Sequence, residues 1–252
     1  MFWVVGTWLI GVIVVNTATR SGAGQLARQI RSTVEGQLIG ELAAFMFHIG
    51  IPFVAVIVGV LGLDVMALGN AQPSALLGFA ALEWVRGVGI AIGIVLFVVL
   101  VLWLMTCRIP MRRVPMRRVE TQSESTKIVP LATWSTALRD AAYAEVHWTF
   151  YRSAGALWFG DLYAGAVLGC VLIGLEWAVQ PGFRAQIQSA EMRPQLVLKL
   201  ICLIVSSGLY LGTQNLWLMM AAHILILMVG SRFLNAQTGA TQTTNATPSG
   251  SS

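Results

Sequence analysis

Charge is what this 252-residue chain has little of: Asp, Glu, Lys and Arg make up 11% of it, against 56% hydrophobic residues. A soluble globular domain carries about 25% charged residues, so an ordinary water-facing surface is excluded. Cysteine is scarce as well. Cys107, Cys170 and Cys202 each sit in or at the end of an apolar run, and none shows a Cys-x-x-Cys or other ligand spacing. They read as buried free thiols, and no metal site is expected from them. The short alternating segments of a membrane β-barrel are also missing.

What the chain does have is long apolar runs. The clearest extends from Leu76 to Cys107, interrupted only by Glu83 and Arg86. A hydrocarbon core about 30 Å thick takes roughly 20 apolar residues per helix. Spans are expected near Phe2–Ala18, Ala43–Leu63, Val85–Cys107, Ala154–Ala178, Leu196–Gly212 and Asn215–Leu234. The expected fold is all-α, a polytopic transmembrane bundle of about six spans forming one domain over residues 1–235. The first run lacks the basic n-region of a secretory signal, so it is expected to be retained. The fifth is short, and whether it crosses decides the side of the C-terminal tail.

Charge placement orients the bundle. Arg20, Arg28 and Arg31 follow the first run, and Arg108, Arg112, Arg113, Arg117, Arg118, Lys127, Arg139 and Arg152 follow the third. With six spans both groups fall on one side, opposite Arg86, Arg184, Arg193, Lys199 and Arg232. The positive-inside rule makes the loop 108–137 cytoplasmic and both termini external. The expected location is the cytoplasmic membrane of a bacterium. Within this loop Pro110-Met-Arg-Arg-Val114 is repeated as Pro115-Met-Arg-Arg-Val119, and the prolines end the preceding helix. Arg112, Arg113, Arg117 and Arg118 are candidates for binding anionic lipid headgroups, at ~1 kcal/mol each near the surface. The competing reading is a pure topology signal. The run has no folded reader around it, so nucleic acid is not an expected partner. Residues 236–252 are polar and uncharged, and read as a disordered tail.

Ionisable groups inside spans are functional candidates by default. Here they are His48, Glu83, Arg86, Glu176 and His223. The tripeptides Leu82-Glu83-Trp84 and Leu175-Glu176-Trp177 both read as interfacial anchors at the outer ends of spans. His223 lies ~12 Å into the last span, where an imidazole needs a partner on a neighbouring helix or a ligand. His48 is shallower, and Pro52 removes a backbone hydrogen bond at His48. Residues 138–152 read as an amphipathic cytoplasmic helix at headgroup level leading into the fourth span. Tyr143, His147 and Tyr151 share one face of it, and Glu145, Thr149 and Arg152 another.

Three stretches carry a resemblance. They are His147-Trp-Thr-Phe-Tyr-Arg152, the approach Leu211-Gly-Thr-Gln-Asn-Leu-Trp-Leu-Met-Met-Ala-Ala-His223, and Glu83-Trp-Val-Arg-Gly87. Over Glu83 to Leu234 the chain resembles the CPBP intramembrane proteases, the CAAX-protease and bacteriocin-processing family. Its motifs are Glu-Glu-x-x-x-Arg, Phe-x-x-x-His and His-x-x-x-Asn/Asp. The resemblance implies a helical membrane fold in which glutamate activates water and histidines polarise the carbonyl. Departures are plain. His147 and Trp148 stand where the paired glutamates belong, the region Leu172–Trp177 offers Glu176 but no histidine, and Leu227 takes the Asn/Asp place. A tryptophan takes no proton.

Three functions follow. The first is a non-catalytic membrane protein of CPBP-like fold, a scaffold or a subunit of a larger complex with other membrane proteins as partners. The second is an intramembrane peptidase with an atypical site drawn from His147, Glu145, Arg152, Glu176 and His223. The third is a pigment- or haem-binding subunit using His48, His147 and His223 as ligands. Transport is disfavoured, because no matching broken helices suggest an inverted repeat.

Overall fold

A computed structural model of the chain describes residues 33–64, 66–68, 80–108, 134–180 and 193–243, with isolated positions 6, 9, 183, 187 and 188. Every regular element among them is helical: α1 (Val34–Phe45), a π-helical turn (Met46–Gly50), α2 (Ile51–Ile57), α3 (Ala81–Arg108), α4 (Trp134–Phe159), α5 (Leu162–Val179), α6 (Arg193–Thr213) and α7 (Leu216–Thr243). This is an all-α polytopic bundle.

Local chemistry explains the boundaries. Thr33 caps α1 by accepting the Gly36 amide at 3.1 Å. Pro52 has no N–H for the carbonyl of His48, and the helix widens to π geometry over 46–50 just before it. Gly160, at φ +63, turns α4 into α5, which Asp161 caps through the Tyr163 amide at 3.0 Å. Asn215 starts α7 by accepting the amides of Trp217 at 3.0 Å and Leu218 at 3.2 Å.

α4 and α5 form an antiparallel hairpin held by small residues. A Cβ on Gly165 would sit 2.6 Å from Cα of Ala156 and from the Arg152 carbonyl oxygen, so here the backbones touch. α6 and α7 form a second hairpin, with Gly230 against Leu198. The α1–π–α2 helix runs parallel to α4, as the contacts Glu41–Arg139, Phe45–Tyr143 and Phe47–His147 show. α3 packs on α6 and α7, and Gly87 lies against Leu218 and Thr213. The bundle therefore has a loop end, where 109–133 joins α3 to α4, and a turn end at Gly160 and Gln214.

Five helical stretches are long and apolar enough to cross a membrane: Val34–Ile57, Ala81–Leu104, Leu162–Val179, Pro194–Thr213 and Leu216–Phe233. Their outer faces carry exposed Leu82, Phe97, Ile204 and similar side chains, as lipid-facing helices do. The fifth expected span is thus a full-length helix. The expected span at 2–18 apart from Gly6 and Leu9, the arginines Arg112, Arg113, Arg117 and Arg118, and the tail beyond 243 lie outside the described residues. α7 continues to Thr243, past the expected tail boundary at 235.

Two expectations are corrected. The helix over 138–152 is not a headgroup-level ribbon: it is the middle of α4, and Glu145 and the residues from His147 to Ser153 on it are buried. The fourth span is not Ala154–Ala178. Residues 154–159 finish α4, and the stretch long and apolar enough to cross is α5, Leu162–Val179. At 26 residues α4 is about 39 Å long, and it shares whatever depth α5 occupies. Hydropathy misses it because it carries Glu145 and Arg152, which are buried against protein, together with the exposed Arg139 and Asp140.

Candidate functional site

The polar residues of α4 point two ways and make two clusters. Glu145 and Arg152 face α6 and α7. Oε1 of Glu145 accepts Nδ1–H of His223 at 2.7 Å, and its Oε2 accepts the Ser206 hydroxyl. Arg152 donates to Ser206 Oγ at 2.9 Å and to Ser207 Oγ at 3.0 Å, and lies 3.9 Å from Glu145. Its guanidinium also lies over the rings of Trp148 and Tyr210, 5.9 and 5.7 Å from their centroids. Trp148 stacks on His223 at 5.4 Å. Glu145 and Arg152 are both 0% exposed. Such a closed network is built for position, since it leaves no face of either charge open to a reacting group.

The second cluster lies on the opposite face of α4. Nε2 of His147 is 3.1 Å from Oε2 of Glu176 on α5, and the Tyr151 hydroxyl donates to the same oxygen at 3.2 Å. The π-helical turn brings His48 alongside, its ring 5.1 Å from that of His147. Phe47 is 4.8 Å from His147, and Tyr143 stacks on His48 at 5.4 Å. Nδ1 of His48 donates to the Ala44 carbonyl at 2.8 Å. Nδ1 of His147 is buried with no hydrogen-bond partner among the described residues. The Glu176 side chain keeps 15% of its surface exposed. It lies about one turn from the loop end of α5, ~5 Å at 1.5 Å per residue, so water reaches this cluster more readily than the first.

All five residues of the expected catalytic set, His147, Glu145, Arg152, Glu176 and His223, come together around α4, split between its two faces. The expected ligand set divides. His48 and His147 are neighbours, while His223 is held by Glu145 across the helix, so the three do not converge on one ligand. Glu176 lies beside His147 at the end of the bundle where 109–133 joins α3 to α4, whereas it was expected at the opposite end. Glu83 is exposed and caps α3, accepting the Ala80 amide at 2.9 Å.

Sequence reasoning missed Ser206 and Ser207. The available signal was a Ser-Ser pair inside an otherwise apolar span. No group of three or more His, Cys, Asp or Glu side chains suited to a metal ion occurs among the described residues.

No known relative decides between the readings. No family model matches the chain, and neither a curated protein nor a solved structure does.

Proposed function

We propose that this protein is an intramembrane hydrolase acting on peptide bonds, with its reacting face at Glu176, His147 and His48. The observation that carries this is the His147–Glu176 pair. A carboxylate holds one imidazole nitrogen from behind, and the other nitrogen, Nδ1, is presented without a hydrogen-bond partner among the described residues. A base oriented by a third group is the arrangement hydrolytic sites use to activate a nucleophile. The unprotonated nitrogens of His147 and His48 are where water is bound and activated. Tyr151 holds the carboxylate, and the sealed Glu145–His223–Arg152 network fixes α4 against α6 and α7. The peptide substrate class comes from the resemblance to the CPBP proteases.

The same reading orients the chain. With α4 as a further crossing, the described Arg139, Arg193, Lys199 and Arg232 lie toward the loop end of their helices and Arg86 toward the turn end. That favours a cytoplasmic loop end, with the arginine repeat available to anionic headgroups.

The test compares membrane-protein termini in cells expressing the wild type and Glu176→Gln or His147→Gln. A set of new peptide termini made by the wild type and lost in both variants is the expected result. Identical termini in all three would return the protein to the non-catalytic reading, a scaffold or complex subunit.

A further inference from the structure

With α1 docked on α4 the reacting face is closed. His147 is 3% exposed, and the rings of Phe47 and His48 cover it at 4.8 and 5.1 Å between centroids. Reacting atoms have to approach within about 3–3.5 Å, so a peptide bond reaches His147 only if this cover moves. Phe47 and His48 both belong to the π-helical turn Met46–Gly50.

The helix carrying that turn is held firmly at one end only. Beyond the turn it is anchored: Pro52 and Ala55 are buried, Leu61, Met66 and Ala67 join the core, and the Ala67 carbonyl accepts the Leu216 amide of α7 at 2.9 Å. Before the turn it is not. Every residue from Val34 to Ala43 is exposed except Gly36. α1 meets α4 through the Glu41–Arg139 pair at 3.1 Å, whose side chains are 57% and 45% exposed, and through the edge-on contact of Phe45 with Tyr143. Exposed ion pairs hold little. Between the two parts Pro52 leaves the His48 carbonyl without its backbone hydrogen bond, and the turn before it is widened. Prolines and π-bulges are where helices kink. Nδ1 of His48 donates to the Ala44 carbonyl at 2.8 Å, so His48 is tied to the last turn of α1 and travels with it.

We propose that α1 is a gate over the second cluster, anchored through α2, hinged over 46–52 and latched by Glu41 and Arg139. Swinging α1 away from α4 carries Phe47 and His48 off His147. The cluster then opens sideways, toward the lipid that the exposed Leu38, Ile39 and Leu42 face. The substrate this fits is a peptide segment already within the bilayer. Closure returns His48 to His147 and shuts the reacting face again. The substrate class rests on the hydrolase reading, whereas the gate is measured with no substrate present.

Diethyl pyrocarbonate modifies accessible neutral imidazole, and mass spectrometry of the full chain, reacted in mild detergent and then digested, gives the rate at His147. Arg139→Glu places two acids at the latch and is expected to raise that rate at least threefold. Pro52→Ala restores the backbone hydrogen bond at His48 and is expected to lower it at least threefold. Circular dichroism and size exclusion check the fold of both variants. Equal rates in the three proteins overturn the gate, whatever the protein hydrolyses. A second arm fixes α1 by joining Leu38→Cys to Leu138→Cys with a reductively cleavable bismaleimide, in a Cys107→Ser background. The new termini made in isolated membranes are expected to fall at least tenfold and to return on reduction. Cleavage at the full rate with the cross-link in place also overturns the gate. Latch- and hinge-dependent rates at His147 in a protein that makes no new termini would uphold the gate and count against the hydrolase reading alone.

Discussion

Oε1 of Glu145 lies 2.7 Å from Nδ1 of His223, a residue 78 positions later in the chain. The contact joins the central helix α4 to α7 in a part of the bundle closed to water. On its other side Glu145 is 3.9 Å from Arg152, and both are wholly buried. Removing the acid leaves a buried guanidinium without its counter-charge. Glu145→Ala is expected to cost about 3–5 kcal/mol, the range for breaking a buried pair by removing one partner. Denaturant unfolding in detergent micelles measures it, and a loss under 1 kcal/mol would mean that the network does not hold α4 in place.

The α4–α5 hairpin should tolerate added methyls very unevenly. A Cβ on Gly165 meets backbone at 2.6 Å, whereas one on Gly174 meets nothing within 4 Å. Gly165→Ala is expected to destabilise by about 1–3 kcal/mol through overpacking. Gly174→Ala is expected to be neutral or stabilising by up to ~1 kcal/mol, since alanine is the better helix former. Thermal unfolding of the two variants side by side gives the comparison, and equal shifts would contradict the close hairpin.

Burial orders the thiols. Cys202 is 1% exposed inside the core, while Cys170 is half-buried with its Sγ 3.2 Å from Ser207 Oγ. In a Cys107→Ser background, a maleimide is expected to label Cys170 slowly and Cys202 only after denaturation. Mass spectrometry of the labelled peptides reads this directly. Rapid labelling of native Cys202 would show that α6 is not packed as described.

Counting α4 as a crossing changes the topology. A reporter inserted near residue 120 and one fused after the C-terminus are expected on the same side of the membrane, with a tag at the Gly160–Asp161 turn on the other. Compartment-specific reporter activity decides it. Opposite sides for the first two would restore the external C-terminus expected when 138–152 is only a surface helix.

Much of the bundle was legible because the bilayer imposes a length and a polarity on every helix facing it. The runs that became α3, α6 and α7 were plain for that reason. α4 was misread for the complementary reason. Arg139, Asp140, Glu145 and Arg152 lower its hydropathy, and a sequence window does not reveal that protein rather than lipid surrounds a helix. The candidate residues were still recoverable, since an ionisable group in a span is conspicuous even where its partner is not. Glu145 and His147, two positions apart, were expected not to share a face, and they do point to opposite sides of α4. Ser206 and Ser207 gave a fainter signal, because hydroxyls are common in membrane helices and cost little there until an arginine needs them.

By itself the sequence determined the solvent, the all-helical class, most of the helices and the short roster of polar residues any chemistry must draw on. Those follow from local composition, because a hydrocarbon solvent constrains each segment separately. Only the tertiary structure decided that α4 lies inside, that Glu145 meets His223 while His147 meets Glu176, and that His48 joins the second pair but not the first. Those facts depend on the rotation of each helix about its axis and on the approach allowed at Gly155, Gly165 and Gly169. Such rotations are set by packing between residues tens of positions apart, which no local pattern records.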